Sequence, residues 1–192
     1  MRVKKAMLQD LGSRDAAFIQ TVKDIRSSLI VLAKVPKSEY TSIPIQGSGT
    51  FAVEAAITTS VPKKGGKLLV IFNGAYGQRV CSIANYLGIE TVKLQFGESS
   101  APDLGQVEKL LASDKLITNV AAVHCETSSG MINPVEQIGQ LIAKHNPTAT
   151  YFVDAMSSFG AVPIDMLRGN IHFLVSSANK CIQVLFSQPK VT

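Results

Sequence analysis

With 192 residues, 46% of them hydrophobic and 17% charged, the chain has the material for one α/β domain with a substantial core, and a disordered or collagenous chain is excluded. Nineteen Lys and Arg against 14 Asp and Glu give a net charge of +5; the basic residues are scattered rather than gathered into a stripe, which argues against nucleic acid and suits an anionic small ligand. No apolar run approaches the roughly 20 residues that span a bilayer, and Cys81, Cys125 and Cys181 form no CxxC pair, so we expect no membrane association, a cytoplasmic protein with reduced thiols, and no metal site.

Between Asp15 and Val35 the apolar residues Phe18, Val22, Ile25, Leu29 and Leu32 recur at steps of four and three, the spacing of a helical stripe turned toward a core. Thr41 to Ile45 reads as extended, with Pro44 keeping it from helix, and leads through Gly47-Ser48-Gly49-Thr50 into a second helix, Phe51 to Ser60. Beyond Pro62-Lys63-Lys64-Gly65-Gly66, short apolar runs alternate with helical segments, the pattern of parallel strands joined by crossover helices. The strands are expected at Leu68 to Phe72, Thr91 to Leu94, Val120 to His124, Tyr151 to Asp154 and Phe173 to Ser176. Helices are expected at Gln78 to Leu87, Asp103 to Ala112 and Val135 to His145, the last opened by Asn133 as N-cap and Pro134 in the first turn. One doubly wound domain follows, with functional groups at the carboxyl ends of its strands.

Polar clusters fall at those ends. Asn73-Gly74-Ala75-Tyr76-Gly77, His124 to Gly130, Asp154 to Ser158 and Ser176 to Lys180 each follow an apolar run. Gly47-Ser48-Gly49-Thr50 opens a helix, where free N–H groups and the macrodipole favour an anion, although an ordinary capped turn has the same composition. It is neither a P-loop nor a GxGxxG fingerprint. Asp154 closes a buried run and calls for a cationic partner; Lys180, in a small and apolar setting, is suited to Schiff-base chemistry. Either alone reads most simply as structural. Together, an anion cup, a strand-end carboxylate and a strand-end lysine match the phosphate, ring nitrogen and aldehyde of pyridoxal phosphate.

The segments Gly47 to Ala55, Asn73 to Gly77, His124 to Pro134, Val153 to Gly160 and Ser176 to Gln183 resemble, in order and in register, the 2-aminoethylphosphonate–pyruvate transaminase family among the class V, fold-type I aminotransferases. Asp-Ala-Met-Ser-Ser-Phe-Gly and Ser-Ser-Ala-Asn-Lys-Cys-Ile-Gln set this group apart from the alanine–glyoxylate transaminases and cysteine desulfurases of the same class. The resemblance implies an α/β fold: a three-layer, mainly parallel sheet, the large domain of a fold-type I pyridoxal-phosphate-dependent transferase, incomplete at both ends. Residues 1–183 would form this partial cofactor-binding domain and 184–192 a divergent tail, without the family's C-terminal small domain.

For the site, the resemblance implies pyridoxal 5'-phosphate as cofactor, with Lys180 and Asp154 as the catalytic pair. Lys180 would carry the cofactor and Asp154 would face its ring nitrogen. Ser48, Gly49 and Thr50 would lie on the phosphate, Tyr76 against the ring, Thr127 near the ring hydroxyl and Asn179 beside the lysine. His124 is left out of this set, because a strand-end histidine is ordinarily structural. The implied reaction moves the amino group of 2-aminoethylphosphonate to pyruvate, giving phosphonoacetaldehyde and alanine, in a homodimer. The competing expectation is a non-catalytic fragment that binds the cofactor or pairs with a full-length subunit.

Overall fold

The computed structural model describes residues 5–6 and 8–182; the divergent tail expected at 184–192 lies outside the described residues. Helix α1 runs Ala16–Ala33 and α2 Gly49–Ser60. Strand β1 (Lys67–Phe72), helix α3 (Ala75–Tyr86), strand β2 (Glu90–Gln95), helix α4 (Leu104–Ser113) and strand β3 (Asn119–Val123) follow. A two-stranded hairpin, β4 (Cys125–Glu126) with β5 (Met131–Ile132), precedes α5 (Val135–His145), β6 (Thr150–Asp154) and β7 (Phe173–Val175). The main sheet has the order β2-β1-β3-β6-β7, all parallel.

Period-two alternation sorts each strand between two cores. Leu69, Ile71, Val120, Ala122, Tyr151 and Val153 face one side, where Val107 and Leu111 of α4 and Val135, Ile138 and Ile142 of α5 cover them. Leu68, Val70, Phe72, Ala121 and Phe152 face the other, under Val53 and Ile57 of α2 and Val80, Cys81 and Ala84 of α3. The result is three layers. Because β1 pairs with β2 on one side and β3 on the other, the winding direction reverses beside β1, and all five strands end on one edge. Among the described residues no helix is long and apolar enough to cross a membrane.

Several local expectations need correction. The stripe on α1 does not face the core: only Ile30 is buried, Leu29 is partly so, and Phe18 and Leu32 stand 37% and 44% exposed. The periodicity identified a helix, but this helix meets the sheet only through its C-terminal end. Asn133 is likewise not the N-cap of α5, a position that Pro134 takes. Its side chain is spent elsewhere, in a buried reciprocal amide pair with Asn73 (2.8 and 2.9 Å) and a bond to the Val123 carbonyl at 2.9 Å. That pair ties the ends of β1 and β3 together, a contact no local pattern encodes. Helices α2 and α3 also begin two and three residues before the expected Phe51 and Gln78, bringing Gly49, Thr50 and Tyr76 into their first turns.

The tightest backbone approach in the core is at Gly139 of α5, where a Cβ would lie 1.6 Å from the carbonyl oxygen of Gly169. Neither backbone can yield without moving α5 or the turn before β7. Gly139→Ala is therefore expected to destabilise the fold by at least ~2 kcal/mol, despite the better helix propensity of alanine, measured as a lower urea midpoint at unchanged slope.

Candidate active site

Asp154 is the last residue of β6, which lies between β3 and β7 and is buried from Tyr151 onward. The residue is 4% exposed, and its carboxylate accepts a hydrogen bond from the Met156 N–H at 2.9 Å. The expected cationic partner is not there: among the described residues Asp154 makes no ion pair. Burial is the main reason its pKa is raised to about 6; the Met156 N–H opposes this, the charge of Glu126 adds to it and that of Arg79 opposes it.

The register Asp154↔Val175 makes β7 end beside Asp154, so the turn after β7 emerges at the same edge and carries Ser177, Asn179 and Lys180 to it. Opposite stand the first turns of α2 and α3. Together they enclose a cavity of ≈ 160 Å³ lined by Gly49, Thr50, Tyr76, Asp154, Asn179 and Lys180, with Arg79 and Ser177 also in its wall. Six of the eight residues expected at the site are thus brought together. Ser48 and Thr127 are not among the lining residues. Ser48 caps α2, its Oγ accepting from the Phe51 N–H at 3.2 Å, and the Thr127 hydroxyl is hydrogen-bonded to that of Ser157. Lys180, expected in an apolar setting, is exposed.

Two residues of the cavity with hydrogen-bonding side chains were not among those expected. Arg79 stands one turn beyond Tyr76 on α3; its guanidinium lies 4.9 Å from the Tyr76 ring centroid and donates to Thr50 Oγ1 at 3.3 Å. The signal for it was the i, i+3 spacing from Tyr76, which places both on one face. Ser177, like its neighbour Ser176, has a buried hydroxyl without a hydrogen-bond partner among the described residues, and only the tertiary structure shows that Ser177 is the one that lines the cavity.

The histidines have structural roles. His124 is buried, its Nδ1 is 2.8 Å from Ser158 Oγ, and burial holds its pKa down. His172 Nδ1 accepts from the Tyr151 N–H at 3.0 Å, and His145 Nε2 meets Glu108 at 2.8 Å. Among the described residues no three metal-binding side chains cluster.

These residues fit pyridoxal phosphate in three respects. A buried carboxylate without a cation suits a protonated ring nitrogen. An unpartnered buried hydroxyl in the cavity wall, together with Arg79 and the N-terminus of α2, suits a phosphate. At that N-terminus a Cβ on Gly49 would lie 2.7 Å from Met156 Sδ, so the glycine keeps the helix end close against the cavity floor.

The family model described as Aminotransferase class-V matches residues 4–183. The 2-aminoethylphosphonate–pyruvate transaminase of Syntrophobacter fumaroxidans is 50% identical over 181 residues, which is 94% of this chain and 48% of that protein. A bifunctional phosphonoacetaldehyde hydrolase/aminoethylphosphonate transaminase of Clostridioides difficile is 49% identical over 94% of this chain and 28% of its own length. Among solved structures, the alanine–glyoxylate aminotransferase of Nostoc sp. superposes with a TM-score of 0.83 at 26% identity, over 92% of this chain and 45% of that one. The chain spans about half the length, or less, of the relatives it matches. Match, fold and site geometry agree, and the chain belongs to the class V aminotransferase family.

Proposed function

We propose that this chain is the cofactor-binding part of a pyridoxal-phosphate-dependent transaminase that moves the amino group of 2-aminoethylphosphonate to pyruvate, giving phosphonoacetaldehyde and alanine. The observation that carries the reading is the convergence on one cavity of Lys180, the unpaired buried Asp154 and the N-terminus of α2 with Arg79 and Ser177. When bound, pyridoxal phosphate supplies an aldehyde that takes the amine and a ring that accepts the electron pair of the broken Cα–H bond.

The protein's own groups do the rest. Lys180 Nζ would hold the cofactor's aldehyde carbon and, when free, would carry the proton from the amine-bearing carbon of the substrate to that former aldehyde carbon. Asp154 holds the ring nitrogen protonated, a task for a buried carboxylate in a low-dielectric wall. Thr50, Ser177, Arg79 and the first amides of α2 would hold the phosphate, Tyr76 would face the ring, and Asn179 flanks the lysine; Ser48 orders the cup by capping α2, and Thr127, tied to Ser157, orders the loop after Asp154. A homodimer is supported by the exposed apolar surface of Phe18, Ile19 and Leu32 on α1 and of Ile43, Ile45 and Phe51. A cytoplasmic location is supported by three free cysteines.

The test is amino transfer by the protein loaded with pyridoxal phosphate, following alanine formed from pyruvate. 2-Aminoethylphosphonate is expected to be the preferred donor, with phosphonoacetaldehyde appearing in equal amount. Equal rates with donors that lack the phosphonate group would overturn the substrate assignment.

A further inference from the structure

Glu126 is fully buried, lies outside the cavity wall and has no part in the chemistry above. A carboxylate at that depth is strongly unfavourable unless it is paired or hydrogen-bonded. Among the described residues it makes no ion pair. Its partners are N–H and O–H groups. Oε1 accepts from the Tyr76 N–H at 3.2 Å and Oε2 from the Gly77 N–H at 3.3 Å, while Ser128 donates to Oε1 through its hydroxyl at 2.9 Å and its amide at 3.4 Å. Ser128 Oγ in turn accepts from the Ala75 N–H at 3.5 Å.

Those amides open α3. Its N-cap is Gly74, which has no side chain to satisfy them. A Cβ at Gly74 would lie 2.4 Å from Glu126 Cγ, so the position that lacks a cap of its own also makes room for the carboxylate that replaces it. The helix dipole favours an anion there, and the carboxylate accepts through both oxygens. Tyr76 projects from this first turn, and Arg79 from the turn after it, into the cavity, and Thr127 follows Glu126 directly in the chain.

We propose that Glu126 is a positioning residue for cofactor binding: it fastens the first turn of α3 and so sets where Tyr76 and Arg79 stand against the ring and phosphate. This rests on the pyridoxal phosphate reading above. A neutral amide in the same place keeps the shape but turns an NH2 group toward an amide N–H, leaving one backbone donor unsatisfied.

The test compares the parent chain with Glu126→Gln, Ser128→Ala and Ile142→Val, a core substitution on α5 remote from the cavity. Pyridoxal phosphate dissociation constants, visible circular dichroism of the bound cofactor and amide hydrogen exchange are measured for each. Glu126→Gln is expected to raise the dissociation constant at least tenfold, alter the dichroism and speed exchange at Tyr76 and Gly77. Ser128→Ala, expected to fold even where Glu126→Gln does not, should raise the constant by two- to fivefold. Ile142→Val should leave affinity within twofold of the parent even at a comparable loss of Tm. Parent-like affinity in both site variants, or a loss that only tracks Tm as in Ile142→Val, overturns the proposal. A parent that takes up no pyridoxal phosphate overturns the cofactor reading itself; the exchange measurement then decides the fastening role, which unchanged protection of Tyr76 and Gly77 in Glu126→Gln would refute.

Discussion

Replacing Asp154 by Asn is expected to stabilise the cofactor-free protein at pH 8 and to weaken its hold on pyridoxal phosphate. The carboxyl pKa is raised from 3.8 to about 6, chiefly by burial. A raised carboxyl pKa means that the native state binds this proton more tightly than the unfolded chain does. Stability from this group is therefore gained as pH falls from above 6 toward 4 and is lost again as pH rises through 6. At 1.36 kcal/mol per unit, ionised Asp154 costs the empty fold up to ~3 kcal/mol above pH 6. Asparagine keeps the Oδ1 that accepts from Met156 without the charge. The expected gain is ~1–3 kcal/mol at pH 8, fading to nothing near pH 4. With cofactor the sign reverses, because a protonated ring nitrogen loses its buried counter-charge, a loss of about 3–5 kcal/mol or at least some hundredfold in affinity. Melting of the empty protein across pH 4 to 8 and titration with pyridoxal phosphate check the two halves. An Asn variant less stable than the parent at pH 8 would show that the carboxylate already has a cationic partner.

The second large effect is expected at Lys180. Lys180→Ala should abolish the borohydride-trappable adduct with pyridoxal phosphate and lower amino transfer by at least about 100-fold, the smaller end of what a positioned proton carrier contributes. It should leave the fold nearly untouched. Lys180 is exposed in the turn after β7, and substitutions at such positions usually shift stability by no more than about 0.5 kcal/mol. Mass analysis of the reduced protein and the urea midpoint read the two outcomes separately. A trapped adduct surviving on the same peptide would assign the cofactor to another amine.

Much of the architecture was legible from local pattern. Strands β1, β3 and β6 were readable because parallel strands buried on both faces are continuous apolar runs, and Tyr151 to Asp154 and Phe173 to Ser176 match β6 and β7 to within one residue at each end. Helix α5 was readable to the residue, because Pro134 cannot continue a helix backward and the apolar spacing runs to His145. The placement of Asp154 and Lys180 at one sheet edge followed from the same periodicity, since every strand of a parallel sheet ends on the same side. Helix starts were less legible. Gly49 and Ala75 open their helices behind flexible or small residues, and the apolar pattern becomes visible only after the first turn.

What the sequence by itself determined is therefore the set of elements, their alternation and the edge on which the polar residues gather, since each depends on neighbours a few positions away. Which of those residues meet was decided by the tertiary structure. The order β2-β1-β3-β6-β7 puts the start of α3 against the hairpin that carries Glu126, brings Arg79 to Thr50, leaves Asp154 without a counter-ion among the described residues and diverts Asn133 from capping to the pair with Asn73. It also leaves α1 half-exposed despite its regular stripe. The partners in these contacts lie up to 60 positions apart. A hydrogen bond or a desolvated charge depends on three-dimensional neighbours, and those exist only once the strands have paired.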